Sequence, residues 1–470
     1  MMQLSQAAVT LRVAHRGENV TFECVGTDSR AARAGELFVA LRGERFDGHR
    51  FLAQAQAAGA VAAMVDEAGA ASAPAGLPLL VVYNTLSALG QLASAWRGQF
   101  SMPLVALTGS SGKTTVKEML AAILREACAD AGAVLATRGN LNNDIGVPLT
   151  LLELRAHHRY AVIEMGMNHS GEIRQLTKLA RPDVALIVNA GRAHIEFLGS
   201  EEAIARAKGE IFEGLSAAGT AVINADDQYA PLWRELAGVY RRVEFGLDTQ
   251  AQVNARFKLR ALESEIEVKT PHGKAATTIN VPGRHNVMNA LAASAAAFAL
   301  EMPPHVIAGG LARYGGIEGR LQRGAGPAGA TLIDDTYNAN PESMRAAIEV
   351  LASVTGRKFL ALGDMGELGA RAAQYHTEIG ERAREAGIER LYALGENSAH
   401  AVAAFGAGAR HYPRIEDMLA DIETALGPDV TLLVKGSRFM RMERVIKAFA
   451  RNTQDAKNTN NTNRERVACS

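Results

Sequence analysis

The chain has 470 residues, with 50 Lys and Arg against 50 Asp and Glu, and 48% of its residues are hydrophobic. This length and composition are typical of a soluble globular protein of about three domains. The zero net charge argues against a protein that mainly binds nucleic acid or an anionic membrane, because both require a basic surface. We therefore expect any anionic ligand to be bound by a local cluster of groups.

Membrane insertion and secretion are not expected from the sequence. The longest mainly apolar stretch, residues 290–300, is well short of the about 18 residues that cross a bilayer. The first residues lack a basic segment followed by an apolar core, so they do not resemble a signal peptide. The three cysteines, Cys24, Cys128 and Cys469, are far apart in sequence and lack metal-ligand spacing. These features indicate a reducing compartment, and we expect a cytoplasmic protein without a nucleic-acid partner.

The first predicted domain covers residues 1–99. Short strand-like runs at 37–41 and 79–83 are separated there by Ala-rich helical segments and Gly turns. This alternation predicts a small N-terminal α/β domain.

The second predicted domain covers residues 100–317. An apolar run at 104–107 precedes a Gly-rich loop, and apolar residues then recur every three or four positions up to Cys128, as in an amphipathic helix. Similar strand-like runs occur at 161–164, 184–189 and 221–224. The pattern predicts a doubly wound, mainly parallel sheet with its ligand site at the carboxyl ends of the strands.

Two further segments complete this domain. Between residues 241 and 282 the period changes to two, which predicts antiparallel strands at the sheet edge or in a small flanking sheet. A helix is expected from Asn286 onwards.

The third predicted domain covers residues 318–452. Strand-like runs occur at 331–333, 359–362, 391–394 and 431–434, with helical segments between them. This predicts a C-terminal Rossmann-like α/β domain, which has no Gly-rich phosphate loop of its own. Residues 453–470 are polar and almost without large apolar side chains, so we expect a disordered tail.

The sharpest local signal is the segment Gly109-Ser110-Ser111-Gly112-Lys113-Thr114-Thr115 between a strand and a helix. Such a loop offers backbone N–H groups, a helix N-terminus and a Lys charge to phosphates, and a hydroxyl to magnesium. It departs from the commonest pattern, because Leu107 stands where the first glycine is required. The alternative is a strand-to-helix turn that merely needs glycine.

Seven ordered motifs, in addition to the phosphate loop, resemble those of the ATP-dependent Mur ligases. Besides the phosphate loop, these are residues 164–173 (EMGMNHSGEI), 189–194 (NAGRAH), 208–212 (KGEIF), 285–290 (HNVMNA), 319–320 (GR), 335–341 (DTYNANP) and 435–438 (KGSR). The resemblance covers nearly the whole chain. It implies a three-domain enzyme that forms an amide bond at the expense of ATP.

Finer matches point to one activity within this family. Residues 27–30, 35–41 and 47–49 resemble a UDP-sugar-binding domain, the DNPR signature of diaminopimelate-adding members is absent, and residues 337–341 resemble members that add D-alanyl-D-alanine. The implied reaction joins UDP-N-acetylmuramoyl-tripeptide to D-alanyl-D-alanine through an acyl phosphate. It yields the pentapeptide, ADP and phosphate in peptidoglycan precursor synthesis.

The resemblance also implies the metal site. Glu164 ends a predicted strand and His194 follows the next one, and both match family ligands of magnesium, with Thr114 as the hydroxyl ligand; from the residues alone, a solvated side chain is the favoured alternative for each. Lys208, which we place near the start of a helix, matches a lysine that is carbamylated and helps to hold a second Mg²⁺. An ordinary solvated lysine is the alternative.

Other matched residues are assigned to nucleotide and substrate. Asn286 and Asn289 are candidates for adenine, although Asn286 also suits a helix N-cap. Arg320 would neutralise the transferring phosphate and act in catalysis with Lys113, His194 and Lys208, and Asp335 would bind ribose or orient the arginine; a structural ion pair is the alternative for both. The candidates for substrate binding are Ser29, Arg30, Tyr337, Asn338, Lys435 and Ser437.

Several alternatives stay open from the sequence. Within the ligases, the chain could add diaminopimelate or lysine, or glutamate to a folate. From other classes, a P-loop nucleotide switch and a small-molecule kinase use the same loop. We also expect a monomer whose central and C-terminal domains approach each other when substrates bind.

Overall fold

The computed structural model describes residues 1–43, 46–191, 198–260 and 263–450. Strands and helices alternate along most of this length, and the larger sheets are mostly parallel. The predicted α/β class is therefore confirmed.

The N-terminal part contains a five-stranded sheet and a two-stranded ribbon. Its strands are β1 (Met2–Gln3), β2 (His15–Arg16), β3 (Thr21–Phe22), β4 (Cys24–Gly26), β5 (Glu36–Val39), β6 (Ala60–Asp66) and β7 (Leu79–Val82), and its helices are α1 (Leu4–Leu11), α2 (Leu52–Ala57), α3 (Glu67–Ala70) and α4 (Thr85–Arg97). The sheet order is β2-β7-β6-β5-β4, with β2 antiparallel to its neighbour and the others parallel. Strand β1 pairs with β3.

The central part is built on a six-stranded parallel sheet of order β13-β12-β11-β8-β10-β9. The strands are β8 (Leu104–Thr108), β9 (Val134–Ala136), β10 (Tyr160–Glu164), β11 (Val184–Ile187), β12 (Thr220–Asn224) and β13 (Arg241–Phe245), and the helices are α5 (Lys113–Cys128), α6 (Gly146–Leu152), α7 (Glu172–Ala180), α8 (Glu201–Gly209) and α9 (Ala230–Leu236). Strand β8 is buried throughout, as its apolar sequence predicts. The chain turns from β8 into α5 at the predicted phosphate loop.

A separate three-stranded antiparallel sheet flanks the central part. It consists of β14 (Asn254–Leu259), β15 (Ser264–Thr270) and β16 (Gly273–Ile279), and is followed by α10 (Arg284–Ala299) and α11 (Pro304–Ala312). The expected flanking sheet is thus present. The antiparallel expectation is wrong for residues 241–245, because β13 extends the parallel sheet beside β12.

The C-terminal part has a six-stranded sheet of order β17-β18-β22-β19-β20-β21, in which only β17 is antiparallel to its neighbour. The strands are β17 (Gln322–Ala325), β18 (Thr331–Asp335), β19 (Arg357–Gly363), β20 (Arg390–Leu394), β21 (Ala409–Tyr412) and β22 (Val430–Lys435), and the helices are α12 (Pro341–Ser353), α13 (Ala372–Glu385), α14 (Ser398–Phe405) and α15 (Ile415–Ala425). Residues 443–450 are also helical.

Five apolar cores hold these layers together, and one of them crosses a predicted domain boundary. Helix α4 packs against α1 and also against α6 and α7, so a single core runs from the N-terminal sheet into the central domain. Within α4, Trp96 donates from Nε1 to the carbonyl oxygen of Leu154 at 3.1 Å. The C-terminal sheet instead has its own core on each face. Among the described residues, no helix is both long and apolar enough to span a bilayer.

Candidate active site

A cavity of about 1180 Å³ lies between the carboxyl ends of the central sheet and the C-terminal domain. It brings together most of the predicted site residues. Those that line it are Ser110, Ser111, Gly112, Lys113, Thr114, Thr115, Glu164, Asn286, Asn289, Arg320, Asp335, Tyr337, Asn338, Lys435 and Ser437.

The other predicted residues lie elsewhere. Gly109 is the first residue of the loop after β8, and its carbonyl oxygen accepts a hydrogen bond from Lys113 Nζ at 2.7 Å. Ser29 and Arg30 belong to the N-terminal domain, where Arg30 pairs with Asp28 at 2.8 Å. His194 lies outside the described residues, so its predicted role as a metal ligand stays a prediction.

The phosphate loop is shaped by a side chain that the sequence did not single out. Asn189, just beyond β11, accepts through Oδ1 from the backbone N–H groups of Ser110 at 3.1 Å and Ser111 at 3.0 Å. Its Nδ2 donates to the carbonyl oxygen of Ser111 at 3.1 Å. These two N–H groups therefore already have a hydrogen-bond acceptor within the protein. The N–H groups of residues 112–115, at the start of α5, lack intrahelical partners by position.

Gly112 needs to be glycine for two reasons. Its φ is +79°, and a Cβ atom there would lie 2.4 Å from Oδ1 of Asn289. Asn289 in turn donates from Nδ2 to Oδ1 of Asn286 at 3.1 Å, and Asn286 donates to the carbonyl oxygen of Pro282 at 2.8 Å. Helix α10 begins at Arg284 after Gly283, so Asn286 is not its N-cap. The two amide side chains thus form a hydrogen-bonded chain that packs against Gly112 of the phosphate loop.

Glu164 has the surroundings of a cation ligand. It is buried at the end of β10, its Oε1 accepts from Asn142 Nδ2 at 2.8 Å, and its Oε2 has no hydrogen-bond partner among the described residues. Lys117 Nζ is 3.9 Å from that oxygen but donates to the carbonyl oxygen of Thr137 at 2.6 Å. A buried carboxylate oxygen without a donor favours a bound cation.

Lys208 is fully enclosed, with 2% of its surface exposed. Burial lowers its pKa well below the usual range, and the charge of Lys113 lowers it further. Burial likewise lowers the pKa of Lys113, an effect that Glu164 opposes. Lys208 is the next-to-last residue of α8, so its expected place near a helix start is wrong. That helix begins after the cap Ser200, whose Oγ accepts from the N–H of Ala203.

Arg320 packs against an aromatic ring. Its guanidinium carbon lies 4.1 Å from the centre of the Tyr337 ring, and Arg438 approaches the same ring at 5.8 Å. The Arg320 Nε has no hydrogen-bond partner among the described residues. The arginine thus lines the cavity, and its Nε–H is a donor that a ligand can use.

Asp335 and Lys435 form a buried ion pair, with 2.6 Å between Oδ2 and Nζ. Burial raises the pKa of Asp335 and lowers that of Lys435, and the charge of each partner opposes the shift. Lys435 also donates to the carbonyl oxygen of Asn338 at 2.9 Å. Ser437 Oγ donates to the carbonyl oxygen of Ala339 at 3.1 Å. The alternative of a structural ion pair thus describes Asp335, although with Lys435 rather than Arg320.

The C-terminal domain touches the phosphate loop directly. Asn340 Nδ2 donates to Oγ of Ser111 at 3.1 Å, while Oδ1 of the same amide accepts from the N–H of Ser343 and caps α12. This contact joins the two domains at the place where phosphate would bind.

Some residues that line the cavity were not predicted from the sequence. Asn140, Asn142 and Asn143 follow β9 and line the cavity. Their position at the carboxyl end of a parallel strand was a usable signal. Tyr314 also lines it, and burial raises the pKa of this tyrosine. Nothing in its sequence context distinguishes it from a core aromatic residue.

A phosphate loop at the carboxyl edge of a parallel sheet, faced by basic residues from a second α/β domain, defines a P-loop nucleotide-binding protein with a shared site. Three family models match the chain: Mur ligase family, catalytic domain, over residues 21–97; Mur ligase middle domain, over 107–297; and Mur ligase, glutamate ligase domain, over 319–438. The chain belongs to the Mur ligase family. The resemblance predicted from the motifs is confirmed.

Individual relatives agree with this assignment over nearly their full lengths. UDP-N-acetylmuramoyl-tripeptide--D-alanyl-D-alanine ligase of Escherichia coli K12 is 41% identical over 456 residues, covering 96% of this chain and 98% of the relative. A crystal structure of MurF from Acinetobacter baumannii has a TM-score of 0.87 at 38% identity, covering 95% of this chain and 98% of that one. MurF ligase from Thermotoga maritima, in complex with ADP, has a TM-score of 0.80 at 28% identity, covering 92% and 98%.

Proposed function

We propose that the chain is an ATP-dependent ligase that joins UDP-N-acetylmuramoyl-tripeptide to D-alanyl-D-alanine. The observation that carries this proposal is the cavity in which Lys113 and the phosphate loop face Arg320 of the other domain. The names of the relatives supply the substrates. In the cell the product would be the pentapeptide precursor of peptidoglycan, which is made where ATP and UDP-sugars occur, in the cytoplasm.

The reaction has two steps. The terminal carboxylate of the tripeptide attacks the γ-phosphate of ATP, which gives an acyl phosphate and ADP. The amine of the dipeptide then attacks the acyl carbon, and phosphate leaves from the tetrahedral intermediate. Both steps spread negative charge over transferring oxygens, so catalysis depends mainly on positioning and electrostatics.

Each domain contributes charge and hydrogen-bond donors. Lys113 and the N–H groups at the start of α5 bind phosphate oxygens from the central side. Arg320, kept in place by Tyr337, approaches from the C-terminal side and stabilises the charge that develops during transfer. Closure over the substrates excludes water from the acyl phosphate. Asn286 and Asn289 bind adenine, and Asp335 orders the start of the third domain, because its Oδ1 accepts from the N–H of Leu321 at 3.2 Å.

The residues present fit magnesium, since Glu164 offers a buried oxygen that accepts no hydrogen bond from the described part of the chain. Glu164, Thr114 and His194 would hold magnesium, and carbamylated Lys208 would help to hold a second ion. Bound magnesium supplies positive charge to the phosphate oxygens. The carbamate would form when the neutral amine of Lys208 adds carbon dioxide and releases a proton, and burial favours that neutral form because it lowers the pKa.

The remaining assignments belong to the same proposal. Residues 1–99 bind the UDP-sugar, with Ser29 and Arg30 at its site; residues 100–317 bind ATP; residues 318–452 bind the incoming dipeptide, with Tyr337, Asn338, Lys435 and Ser437 nearby. The expected tail at 453–470 lies outside the described residues. We assign a monomer as the working state.

One experiment tests the function. The purified chain is given ATP, Mg²⁺ and UDP-N-acetylmuramoyl-tripeptide, together with D-alanyl-D-alanine, diaminopimelate or lysine, and the products are identified by mass. We expect the pentapeptide in equal amount to the phosphate released, and only with the dipeptide. Phosphate release without an amide product would favour a switch or a kinase. The variant Lys113→Ala should lose ADP formation.

A further inference from the structure

Lys117 is a buried lysine that the reaction proposed above does not use. It lies on α5 one turn after Lys113, and 1% of its side chain is exposed. A lysine is seldom buried to this extent unless its charge is paired, because removing an ammonium group from water is costly. The groups around its Nζ therefore determine what this charge can do.

Three oxygen atoms surround the ammonium group of Lys117. Its Nζ donates to the carbonyl oxygen of Thr137 at 2.6 Å and lies 3.1 Å from Oε1 of Glu118. The third oxygen, Oε2 of Glu164, is 3.9 Å away. Thr137 also contacts Glu164, because its Oγ1 accepts from the N–H of that residue at 2.9 Å. These contacts fix the charge of Lys117 at the carboxyl ends of β9 and β10.

The two acids beside this lysine differ in their surroundings. Glu118 is partly exposed and forms the shorter ion pair with Lys117, whereas Glu164 is buried and lines the cavity. Oε2 of Glu164 is too far from Nζ for a hydrogen bond, and it accepts none from the described part of the chain. Lys117 is thus neutralised mainly by Glu118, and it places a positive charge beside the oxygen that would bind a metal ion.

We propose that Lys117 keeps the affinity of the Glu164 site for free magnesium low, so that the metal binds together with ATP. This rests on the proposed function, in which Glu164 is a magnesium ligand. A fixed positive charge repels a divalent cation at short range, and the repulsion is stronger in buried surroundings than in water. The complex of magnesium with ATP is an anion, so the same charge does not repel it. Lys117 acts through Glu164 and touches no substrate.

The first test measures metal binding to the full-length protein without nucleotide. Mn²⁺ serves as the probe, and EPR spectroscopy reports the concentration of free ion during the titration. Lys117→Met removes the charge and keeps an unbranched side chain, so its Kd for Mn²⁺ should be lower than that of wild type by about 10-fold or more. Its Kd for the complex of magnesium with a non-hydrolysable ATP analogue, measured by calorimetry, should stay the same or rise.

A second variant should change the affinity in the opposite direction. Glu118→Gln removes the acid that neutralises Lys117, so the Kd for Mn²⁺ should rise by about threefold or more. A lysine that only held Glu164 in place would instead give weaker binding in both variants. Lys274→Met is the matched control, because Lys274 is exposed on β16, where it pairs with Glu267. Its Kd for Mn²⁺ should equal that of wild type.

Two results would overturn the proposal. One is a Lys117→Met protein that binds Mn²⁺ no more tightly than wild type, and the other is a gain in affinity that persists when Glu164→Gln is added. If Lys117→Met lowers Tm by more than about 10 °C, the same measurements are made on Lys117→Gln, which keeps a donor for the Thr137 carbonyl oxygen. Failure of the proposed function would appear instead in the wild-type enzyme, as no pentapeptide formed from ATP and magnesium, so the two failures can be told apart.

Discussion

The contact between Asn189 and the phosphate loop yields the sharpest prediction. Asn189→Ala removes three hydrogen bonds, two accepted from the N–H groups of Ser110 and Ser111 and one donated to the Ser111 carbonyl oxygen. Each is worth about 0.5–1.5 kcal/mol net, and water recovers part of the loss in a half-buried loop. We therefore expect the free energy that stabilises the binding conformation of the loop, before nucleotide binds, to fall by about 1.5–3 kcal/mol.

That loss should appear in nucleotide affinity, because ATP must then order the loop itself. The expected rise in Kd for ATP is about 10- to 150-fold. It can be measured by titration calorimetry with a non-hydrolysable ATP analogue in the presence of Mg²⁺. Thermal unfolding in the same buffer shows whether the fold is retained, and we expect a fall in Tm of only a few degrees.

Asn189→Asp keeps the acceptor oxygens for both N–H groups, loses the donor and adds a negative charge beside the phosphate site. Its Tm should therefore lie between those of wild type and Asn189→Ala, whereas its Kd for ATP should rise because the added charge repels the phosphates. An unchanged Kd in Asn189→Ala, with Tm also unchanged, would show that the loop is ordered by other contacts. A Tm that falls by more than about 10 °C would indicate a general packing role instead.

Three further predictions concern the same cavity. Gly112→Ala should lower Tm and abolish nucleotide binding in calorimetry, and the added change Asn289→Ala should restore only part of the Tm, because it removes the clash but leaves the positive φ. Glu164→Gln should reduce kcat by about 100-fold or more and raise the Mg²⁺ concentration needed for half-maximal rate, measured in a Mg²⁺ titration; an unaltered titration would contradict its role as a ligand. Lys208 should give a carbamate signal in a ¹³C NMR spectrum recorded with labelled bicarbonate; the signal should weaken as pH falls, since protonation removes the reacting amine, and should be absent in Lys208→Met.

The sequence predicted the strands built mainly from large or β-branched apolar residues and missed one that is rich in alanine. Strands such as Leu104–Thr108 are buried on both faces, so their composition identifies them. Strand β6, Ala60–Asp66, is rich in alanine, which has little preference for strands, and it was not recognised. Its place in the sheet is set by its neighbours β5 and β7.

Site residues divide in a similar way. The phosphate loop was located because glycine, lysine and threonine act there through local spacing. Asn189 and Asn142 act through contacts with distant segments, and those contacts exist only after folding. The predicted position of Lys208 near a helix start was wrong although the sequence carries a local signal. Ser200 is the N-cap and is followed by two acids, which together mark the start of the helix eight residues earlier.

The mixture of charges around the cavity bears on how substrates arrive. Lys113, Arg320 and Arg438 share the wall with Glu164, Glu342 and Glu367, and the chain as a whole has no net charge. The long-range electrostatic field of the protein, which would attract free ATP, is therefore weak. Magnesium-bound nucleotide carries less negative charge and is the better match for this cavity of mixed charge. The rate constant for nucleotide association should consequently depend little on ionic strength, unlike that of enzymes that capture anions by electrostatic steering.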